Sequence, residues 1–219
     1  MRCFVKSDME IGQIIISFDR TIIPGYAWIF PMRDHTFNIG CGFFYGNKSD
    51  LKVNLKSLFT EFMANFPIAM ELIDRGKYVS PLKGARLRCG LVGPNSYVNK
   101  NVLFIGETIS TTFPFTGEGI GKTMETGELA AEVIDRSISH GNYSELNMFS
   151  SQVEQQLKPK YMGYRIAENW LSHAWLNDFL IKRANQSDYL KEAATGIITE
   201  SIDPKEIFSL KGLAKSIFH

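Results

Sequence analysis

Short apolar runs separated by polar turns occupy roughly the first ninety residues, a pattern typical of β-structure. Strands are predicted over residues 11–18, 27–31 and 36–45, with further extended structure over 77–89. The polar turn 32–35 predicts that the second and third strands form a hairpin. Apolar residues at helical spacing over 51–66 predict one inserted helix, which Pro67 is expected to end.

The pattern changes at residue 102. The continuous apolar run 102–105 ends at Gly106 and is typical of a fully buried parallel strand. A helix is predicted from near Gly117 to about residue 140. Its predicted inner face consists of Ile120, Met124, Leu129, Ala130, Val133 and Ile134. From residue 143 onward the spacing is helical, with segments predicted at 149–157, 161–182 and 206–218.

These patterns predict an α+β fold in three parts. Residues 1–95 form an antiparallel sheet with a helical insert, 96–140 form a strand-loop-helix, and 141–219 form a helical C-terminal region.

Composition narrows the class of protein. The 219 residues carry a net charge of +1 and are 44% hydrophobic, which excludes a disordered chain and argues against a nucleic-acid-binding protein. Sixteen Phe, eight Tyr and three Trp favour a flat or greasy ligand.

Cysteine spacing and the absence of a leader point to the cytoplasm. Cys3, Cys41 and Cys89 are too widely separated to form a zinc or redox pair. The sequence has no secretory signal and no apolar run long enough to span a membrane. The segment 206–218 has a basic amphipathic pattern, which predicts either peripheral contact with an anionic membrane or docking on its own domain.

The local motif TGEGIGKT, residues 116–123, superficially resembles a phosphate-binding loop. Thr116 stands where that motif needs its first glycine, and Lys122 stands where the dinucleotide-binding pattern needs its last. Two interpretations stay open. The helix start could bind an anion or an electron-rich ring edge, with Gly117 and Gly119 allowing close approach. Alternatively, the glycines only allow the chain to turn into the helix, and Glu118 complements the helix dipole.

Two longer motifs resemble one known family. Residues 102–132, VLFIGETISTTFPFTGEGIGKTMETGELAAE, resemble the second flavin-contacting segment of FAD-dependent oxidoreductases related to p-hydroxybenzoate hydroxylase. Residues 24–31, PGYAWIFP, with Gly40-Cys41-Gly42 following, resemble the signature of one branch of that group, the geranylgeranyl reductases.

The resemblance covers this chain but only the C-terminal half of the family, because no Gly-x-Gly-x-x-Gly turn for the FAD pyrophosphate is present. It implies a truncated form: an internal start, a fragment, or one half of a split gene whose companion chain supplies the N-terminal FAD-binding half. Weak or absent FAD binding by this chain alone is therefore expected.

Site residues follow from the resemblance. Gly106 and Glu107 fall where the family usually has Gly-Asp, whose carboxylate contacts the ribityl or pyrophosphate region of the flavin. Pro114 falls beside the isoalloxazine ring. The turn facing the flavin pyrimidine edge is implied to be Gly117, Glu118, Gly119 and Ile120.

The lipid cavity is implied to be lined by Tyr26, Trp28, Phe30 and Pro31, with Gly40 and Gly42 on the next strand. Strand alternation independently places the three aromatic rings on one face. Its alternative is an ordinary sheet face packed on helices. Cys41 is either a proton donor or, more simply, inert packing.

The reaction implied by the family is reduction of an isoprenoid double bond in a prenyl lipid, with hydride from FAD and a proton from an acid that the sequence does not identify. No catalytic side chain is assigned, and the four histidines form no metal-binding or triad spacing. Two alternatives remain at this point: a flavin-dependent hydroxylase or halogenase, and a non-catalytic lipid-binding or interaction remnant.

Overall fold

A computed structural model of the chain describes residues 1–44, 53–93, 96–184 and 186–209. The chain divides into two compact units. The first comprises Met1–Arg86 with Leu171–Asp178, and the second comprises Leu87–Trp170 with the chain from Phe179 onward.

An antiparallel sheet of five strands, in the order β2-β3-β4-β1-β5, forms the first unit. The strands are β1 (Arg2–Ser7), β2 (Ile15–Ser17), β3 (Gly25–Pro31), β4 (Thr36–Phe43) and β5 (Gly76–Tyr78). The predicted hairpin is confirmed as β3 and β4, with Trp28 directly opposite Gly40. The antiparallel sheet and the helices around it confirm the predicted α+β class.

Strand β1 was not predicted, although it lies between β4 and β5. Its charged residues Arg2 and Lys6 are exposed and alternate with the buried Cys3, Val5 and Ser7. This is the period-2 pattern of a strand with one buried face. The two charged residues give this segment a polar composition, which obscures the alternation of buried and exposed residues.

Two helices, α1 (Leu55–Asn65) and α2 (Pro67–Asp74), pack on one face of this sheet. Asn54 caps α1 by accepting hydrogen bonds from the N–H groups of Lys56 and Ser57. Pro67 ends α1 as predicted, and it also begins α2, because the first turn of a helix tolerates proline. Phe59, Phe62 and Leu72 fill the core of the first unit.

The predicted buried parallel strand at 102–105 is wrong. In the second unit, β7 (Val102–Leu103) pairs antiparallel with β6 (Val98–Asn99) through a tight turn. Val102 is 55% exposed, and Phe104 and Ile105 are exposed as well. Among the described residues no further strand joins this pair, so nothing there covers the apolar run.

The rest of the described chain is mostly helical. Its helices are α3 (Ile120–Ser139), α4 (Met148–Gln156), α5 (Lys158–Leu171), α6 (Ala174–Ala184), α7 (Asp188–Ile198) and α8 (Pro204–Ile207), with 3₁₀ turns at Gly106–Ile109 and Tyr143–Asn147. They belong to the second unit, except for Leu171 of α5 and the part of α6 up to Asp178, which belong to the first. The single helix predicted over 161–182 is wrong, because α5 and α6 are separated at Ser172–His173. Most of the predicted segment 206–218 lies outside the described residues.

Helix α3 carries apolar residues on two faces. Its buried face includes Lys122, Thr126, Leu129, Ala130 and Val133. The exposed side carries an outer stripe, defined here as Ile120 (82% exposed), Met124 (63%), Ile134 (41%) and Ile138 (64%). The prediction that Ile120, Met124 and Ile134 face inward is therefore wrong, since two apolar stripes share this helix and the sequence pattern does not rank them.

No helix within the described ranges is both long enough and apolar enough to cross a bilayer.

Candidate functional site

Strand β7 leads into Gly106, whose backbone adopts a left-handed conformation with φ of 61°. A Cβ there would lie 2.8 Å from the Thr123 Cγ2 atom of α3. The Gly106 N–H donates a 3.1 Å hydrogen bond to the buried Thr126 Oγ1. Glycine is required because the chain both turns left-handed and rests against the helix. Glu107 is exposed, and its Oε1 accepts a 3.4 Å hydrogen bond from the Arg88 N–H.

The glycine turn, defined here as residues 113–119, closes on itself. Phe113 donates its N–H to the Glu118 carbonyl at 2.7 Å, and its own carbonyl accepts the Gly117 N–H at 3.1 Å. Pro114 is buried at the start of the turn, and Gly117 is left-handed with φ of 70°. A Cβ on Gly119 would lie 2.8 Å from Thr112 Oγ1, so the end of the turn packs closely on the chain before it.

The N-terminus of α3 lies at the end of the glycine turn. Glu118 Oε1 accepts the Gly121 N–H at 2.7 Å, in agreement with the simpler interpretation that Glu118 complements the helix dipole. Within the described ranges, the N–H groups of Gly119 and Ile120 have no hydrogen-bond partner. These amides are available to a ligand, and the binding of one there stays a prediction.

These residues fit the ring end of a flavin better than its phosphates. The free amides can donate to carbonyl oxygens at a ring edge, and glycines allow the ring to approach. The Glu118 carboxylate stands beside those amides, and its Oε2 is buried without a hydrogen-bond partner. A carboxylate there repels an anionic phosphate but tolerates a neutral ring. Gly106, Glu107, Pro114 and Gly117 lie in the same unit and lead into this turn.

A buried lysine that sequence reasoning missed lies beneath the turn. Lys122 is 2% exposed, and its Nζ lies 2.5 Å from Glu125 Oε1 and 2.6 Å from Glu200 Oε2. Burial opposes its charge, but the hydrogen bonds to the two carboxylates outweigh burial and raise the pKa of Lys122. Helical spacing could have revealed it, because Lys122 lies on the same face of α3 as the buried Thr126 and Leu129.

The first unit presents a separate candidate surface, an aromatic row along β3 and β4. Ring centroids of Phe44 and Tyr26 are 5.9 Å apart, those of Tyr26 and Trp28 are 5.8 Å apart, and those of Trp28 and Phe30 are 5.9 Å apart. All four side chains are half-buried. The predicted alternation is observed, since Ala27 and Ile29 between them are buried on the opposite face with α1 and α2.

Glycines on β4 make room for this row. Gly42 is paired with Tyr26, and Gly40 is paired with Trp28. The Trp28 Nε1–H donates a 3.2 Å hydrogen bond to the next residue along the same face of β4, Asn38 Oδ1, which fixes the indole. Pro31 ends β3 and is half-buried. The row is thus an apolar surface with polar groups at fixed places.

Cys41 faces the core and not the aromatic row. The side chain is fully buried, and its Sγ lies 3.8 Å from the Leu55 carbonyl of α1. Burial raises the pKa of this thiol. The geometry supports inert packing.

The remaining candidate side chains form no site. His35 Nδ1 lies 3.7 Å from Glu10 Oε1, and His140 Nδ1 lies 3.0 Å from Glu145 Oε1, with both imidazoles exposed. In the described part of the chain, no group of His, Cys, Asp or Glu is arranged to hold a metal ion.

No protein-family model matches the chain. Curated proteins do match it. The digeranylgeranylglycerophospholipid reductase of Methanoculleus marisnigri is 29% identical over 222 residues, which is 96% of this chain and 52% of the relative. Digeranylgeranylglycerophospholipid reductase 3 of Methanosphaera stadtmanae is 28% identical over 93% of this chain and 51% of the relative. A menaquinone reductase of Mycobacterium tuberculosis is 31% identical over 53% of this chain and 28% of the relative.

The chain thus spans about half the length of the curated relatives that match it over nearly its whole length. One solved structure gives the same picture. A geranylgeranyl bacteriochlorophyll reductase-like protein from Thermoplasma acidophilum superposes with a TM-score of 0.72, at 18% identity, over 99% of this chain and 50% of that protein. At this identity the likeness establishes the fold.

Proposed function

We propose that this chain, a homologue of the digeranylgeranylglycerophospholipid reductases, forms the ring-binding and substrate-binding part of an FAD-dependent reductase that acts on prenyl lipids. The observation that carries the proposal is the glycine turn. It presents the unpartnered N–H groups of Gly119 and Ile120 beside Glu118, in a chain whose relatives are named as reductases of prenyl lipids.

FAD, when bound, would supply the hydride. The part of this chain would be to orient the ring: the amides of Gly119 and Ile120 would donate to its pyrimidine edge, and Pro114 would border it. Gly106 and Gly117 would allow the backbone to approach, and Glu107 would serve the ribityl side. Lys122 would not touch the ring, since its Nζ is already paired with two carboxylates.

The aromatic row would hold the prenyl chain. Tyr26, Trp28 and Phe30 offer a continuous apolar surface, and Gly40 and Gly42 keep the floor of that surface low. Pro31 closes one end of β3. Such a substrate resides in a membrane, so the proposed enzyme would work at a membrane surface.

A companion polypeptide would supply the pyrophosphate-binding half. We infer that it corresponds to the part of the relatives that this chain does not match, because each covers about twice the length of this chain. The outer stripe of α3 and the exposed run Val102–Ile105 give it an apolar surface to cover. Both lie in the unit that holds the glycine turn.

A competition experiment tests the ring site. Riboflavin fluorescence is titrated with this chain, and FAD or ADP is then added as competitor. We expect riboflavin to bind weakly, FAD to compete and ADP to fail, because the assigned contacts reach only the ring end. Gly119→Ala should abolish binding, since its Cβ would lie 2.8 Å from Thr112 Oγ1.

Gly121→Ala is the matched control. A Cβ there meets only the flexible end of Glu118, 3.2 Å away, and the Gly121 amide is already occupied by that carboxylate. Binding should be unchanged. Competition by ADP, or tight FAD retention by the 219 residues alone through gel filtration, would contradict the proposed division of contacts.

A second experiment tests the activity. The chain is co-expressed with the unmatched half of the Methanoculleus relative, and the complex is given a geranylgeranylated glycerophospholipid and a reductant. Saturated product supports the reductase, whereas an oxygenated product would favour a hydroxylase, and flavin-free complex would favour a lipid-binding remnant.

A further inference from the structure

We propose that Lys122 is a positioning residue that holds the glycine turn in its flavin-facing conformation by tying the turn to Glu200 of the C-terminal helical region. The inference rests on the proposed function, because it assigns a purpose to the shape of that turn. It concerns a buried ion cluster, defined here as Lys122, Glu125 and Glu200, which the proposed chemistry does not use.

The ammonium group of Lys122 is buried deeply enough to need carboxylate partners. Lys122 is 2% exposed, whereas Glu125 and Glu200 are 36% and 30% exposed. A buried ammonium is tolerated only when carboxylates and hydrogen bonds surround it. Both bonds are short, and the bond to Glu200 joins residues that are 78 positions apart in the sequence.

Lys122 also touches the turn itself. Its Nζ lies 4.8 Å from the centroid of the Phe113 ring, an orientation in which a cation is attracted to the ring face. Phe113 in turn stacks on Tyr164 at 4.1 Å and meets the edge of Tyr161 at 4.6 Å. Since Phe113 holds the turn through hydrogen bonds with Glu118 and Gly117, fixing its ring fixes both ends of the turn.

The backbone of Glu200 supplies an independent observation. Helix α7 ends at Ile198, and Glu200 follows in a left-handed conformation with φ of 60°. Glycine or asparagine usually occupies that place, because a Cβ is unfavourable there. Helix termination alone therefore does not account for a glutamate. The observed contact accounts for it, since this conformation brings the carboxylate to Lys122.

Removing the lysine charge would leave acids facing one another. Glu125 of α3, Glu118 of the glycine turn and Glu200 after α7 all act on Tyr161, as does Cys89. Asp203, Glu118 and Glu200 act on the neighbouring Tyr164. Without Lys122, the carboxylates Glu125 and Glu200 lose their common cation. Their mutual repulsion would then act against the closed arrangement of the turn.

Amide hydrogen exchange, followed by NMR, tests the inference in the full chain. In Lys122→Met, the protection of the Phe113 and Gly117 amides should fall by about tenfold at pH 7, because opening the turn becomes easier. Lys122→Arg should restore most of the protection, since it retains the charge.

Val153→Ala, in the buried face of α4, is the control for general destabilisation. It should lower the melting temperature without a loss of protection confined to the turn. Glu200→Gly guards against misfolding of the lysine variant. This variant removes the carboxylate that binds Lys122, so the glycine turn should loosen. The end of α7 should stay intact, because glycine adopts the left-handed conformation easily.

The positioning role is overturned if Lys122→Met and Glu200→Gly leave protection of the turn unchanged, or if their loss of protection is spread over the chain as in Val153→Ala. Riboflavin titration separates this from the proposed function. If the turn loosens in the two variants as expected but the wild-type chain binds no riboflavin, the result supports the positioning role and counts against the flavin site.

Discussion

The Trp28 indole lies directly across Gly40 of the neighbouring strand. A Cβ at Gly40 would overlap the indole and would come within 2.6 Å of the Met1 carbonyl oxygen. That carbonyl accepts the Cys41 N–H at 2.9 Å, so it cannot easily move. The ring therefore occupies the space that a side chain on β4 would fill, and the flatness of the aromatic row depends on this glycine.

Gly40→Ala should destabilise the first unit by about 1–3 kcal/mol, the usual range for overpacking a close contact. Urea unfolding followed by tryptophan fluorescence measures this. Gly42→Ala is the matched control, because its Cβ would meet only Trp28 Cζ3 at 3.8 Å, an ordinary contact. Equal stability of the two variants would mean that the indole is not held against Gly40.

Trp28→Ala should weaken binding of a prenyl lipid while leaving the chain folded, because the indole is half-buried on the open face of the sheet. Ile29→Ala removes a fully buried side chain from the other face and should cost about 2–5 kcal/mol. Lipid binding by fluorescence and unfolding in urea are measured on both. If Trp28→Ala is lost to aggregation as Ile29→Ala would be, the indole is a packing residue.

Whether the outer stripe of α3 drives self-association can be tested on the isolated chain. The isolated chain should form concentration-dependent oligomers, because Ile134 and Ile138 are exposed beside the other apolar residues of the stripe. Ile134→Lys with Ile138→Lys should reduce the mass measured by light scattering and change stability by less than about 0.5 kcal/mol.

Ser139→Lys, at the exposed C-terminal end of the same helix, adds charge without altering the stripe and should leave association unchanged. A wild-type chain that stays monomeric at high concentration would show that the stripe does not drive association.

The sequence predicted this fold unevenly, and the reasons are physical. The hairpin β3–β4 followed from alternation around a polar turn, which is a local signal. The outer stripe was misassigned because α3 has two apolar faces, and which one is buried depends on residues far away in the chain. The run 102–105 was wrongly predicted because an apolar run suggests a buried strand but does not identify the strand beside it. Here β7 pairs with the adjacent β6 and stays largely exposed.

The candidate site was predictable only through its motifs. The resemblance to geranylgeranyl reductases is confirmed by the relatives, whereas the roles given to the turn residues stay predictions. Lys122 escaped notice because its partner Glu200 is distant in sequence, and a lysine after Gly-rich residues suggests a phosphate site instead.

Tyr97 provides a pH-dependent test of the second unit. It is 2% exposed, and its hydroxyl donates a 3.0 Å hydrogen bond to Glu154 Oε1. Burial, followed by the hydrogen bond and charge of Glu154, raises the pKa of Tyr97 to about 12. The unfolded side chain titrates near pH 10, at about its reference value, so the stabilisation is complete below that pH and is lost as pH rises through about 12.

Tyr97→Phe isolates this effect from the other tyrosines. The stability advantage of the wild type over the variant should be constant from pH 7 to pH 9 and should decline from pH 10 to pH 12, as measured by chemical unfolding at each pH. An advantage that does not change with pH would show that Tyr97 is solvated.

The outer stripe of α3 also has a consequence inside the cell. Exposed isoleucine and methionine side chains on a folded surface are what chaperones and quality-control proteases recognise, and Ile120, Met124, Ile134 and Ile138 offer such a surface. If a second polypeptide covers this stripe, as proposed above, the lifetime of the chain would depend on the supply of that polypeptide. Overproduction of the chain alone would then raise its turnover, whereas balanced synthesis of the two would lengthen its lifetime.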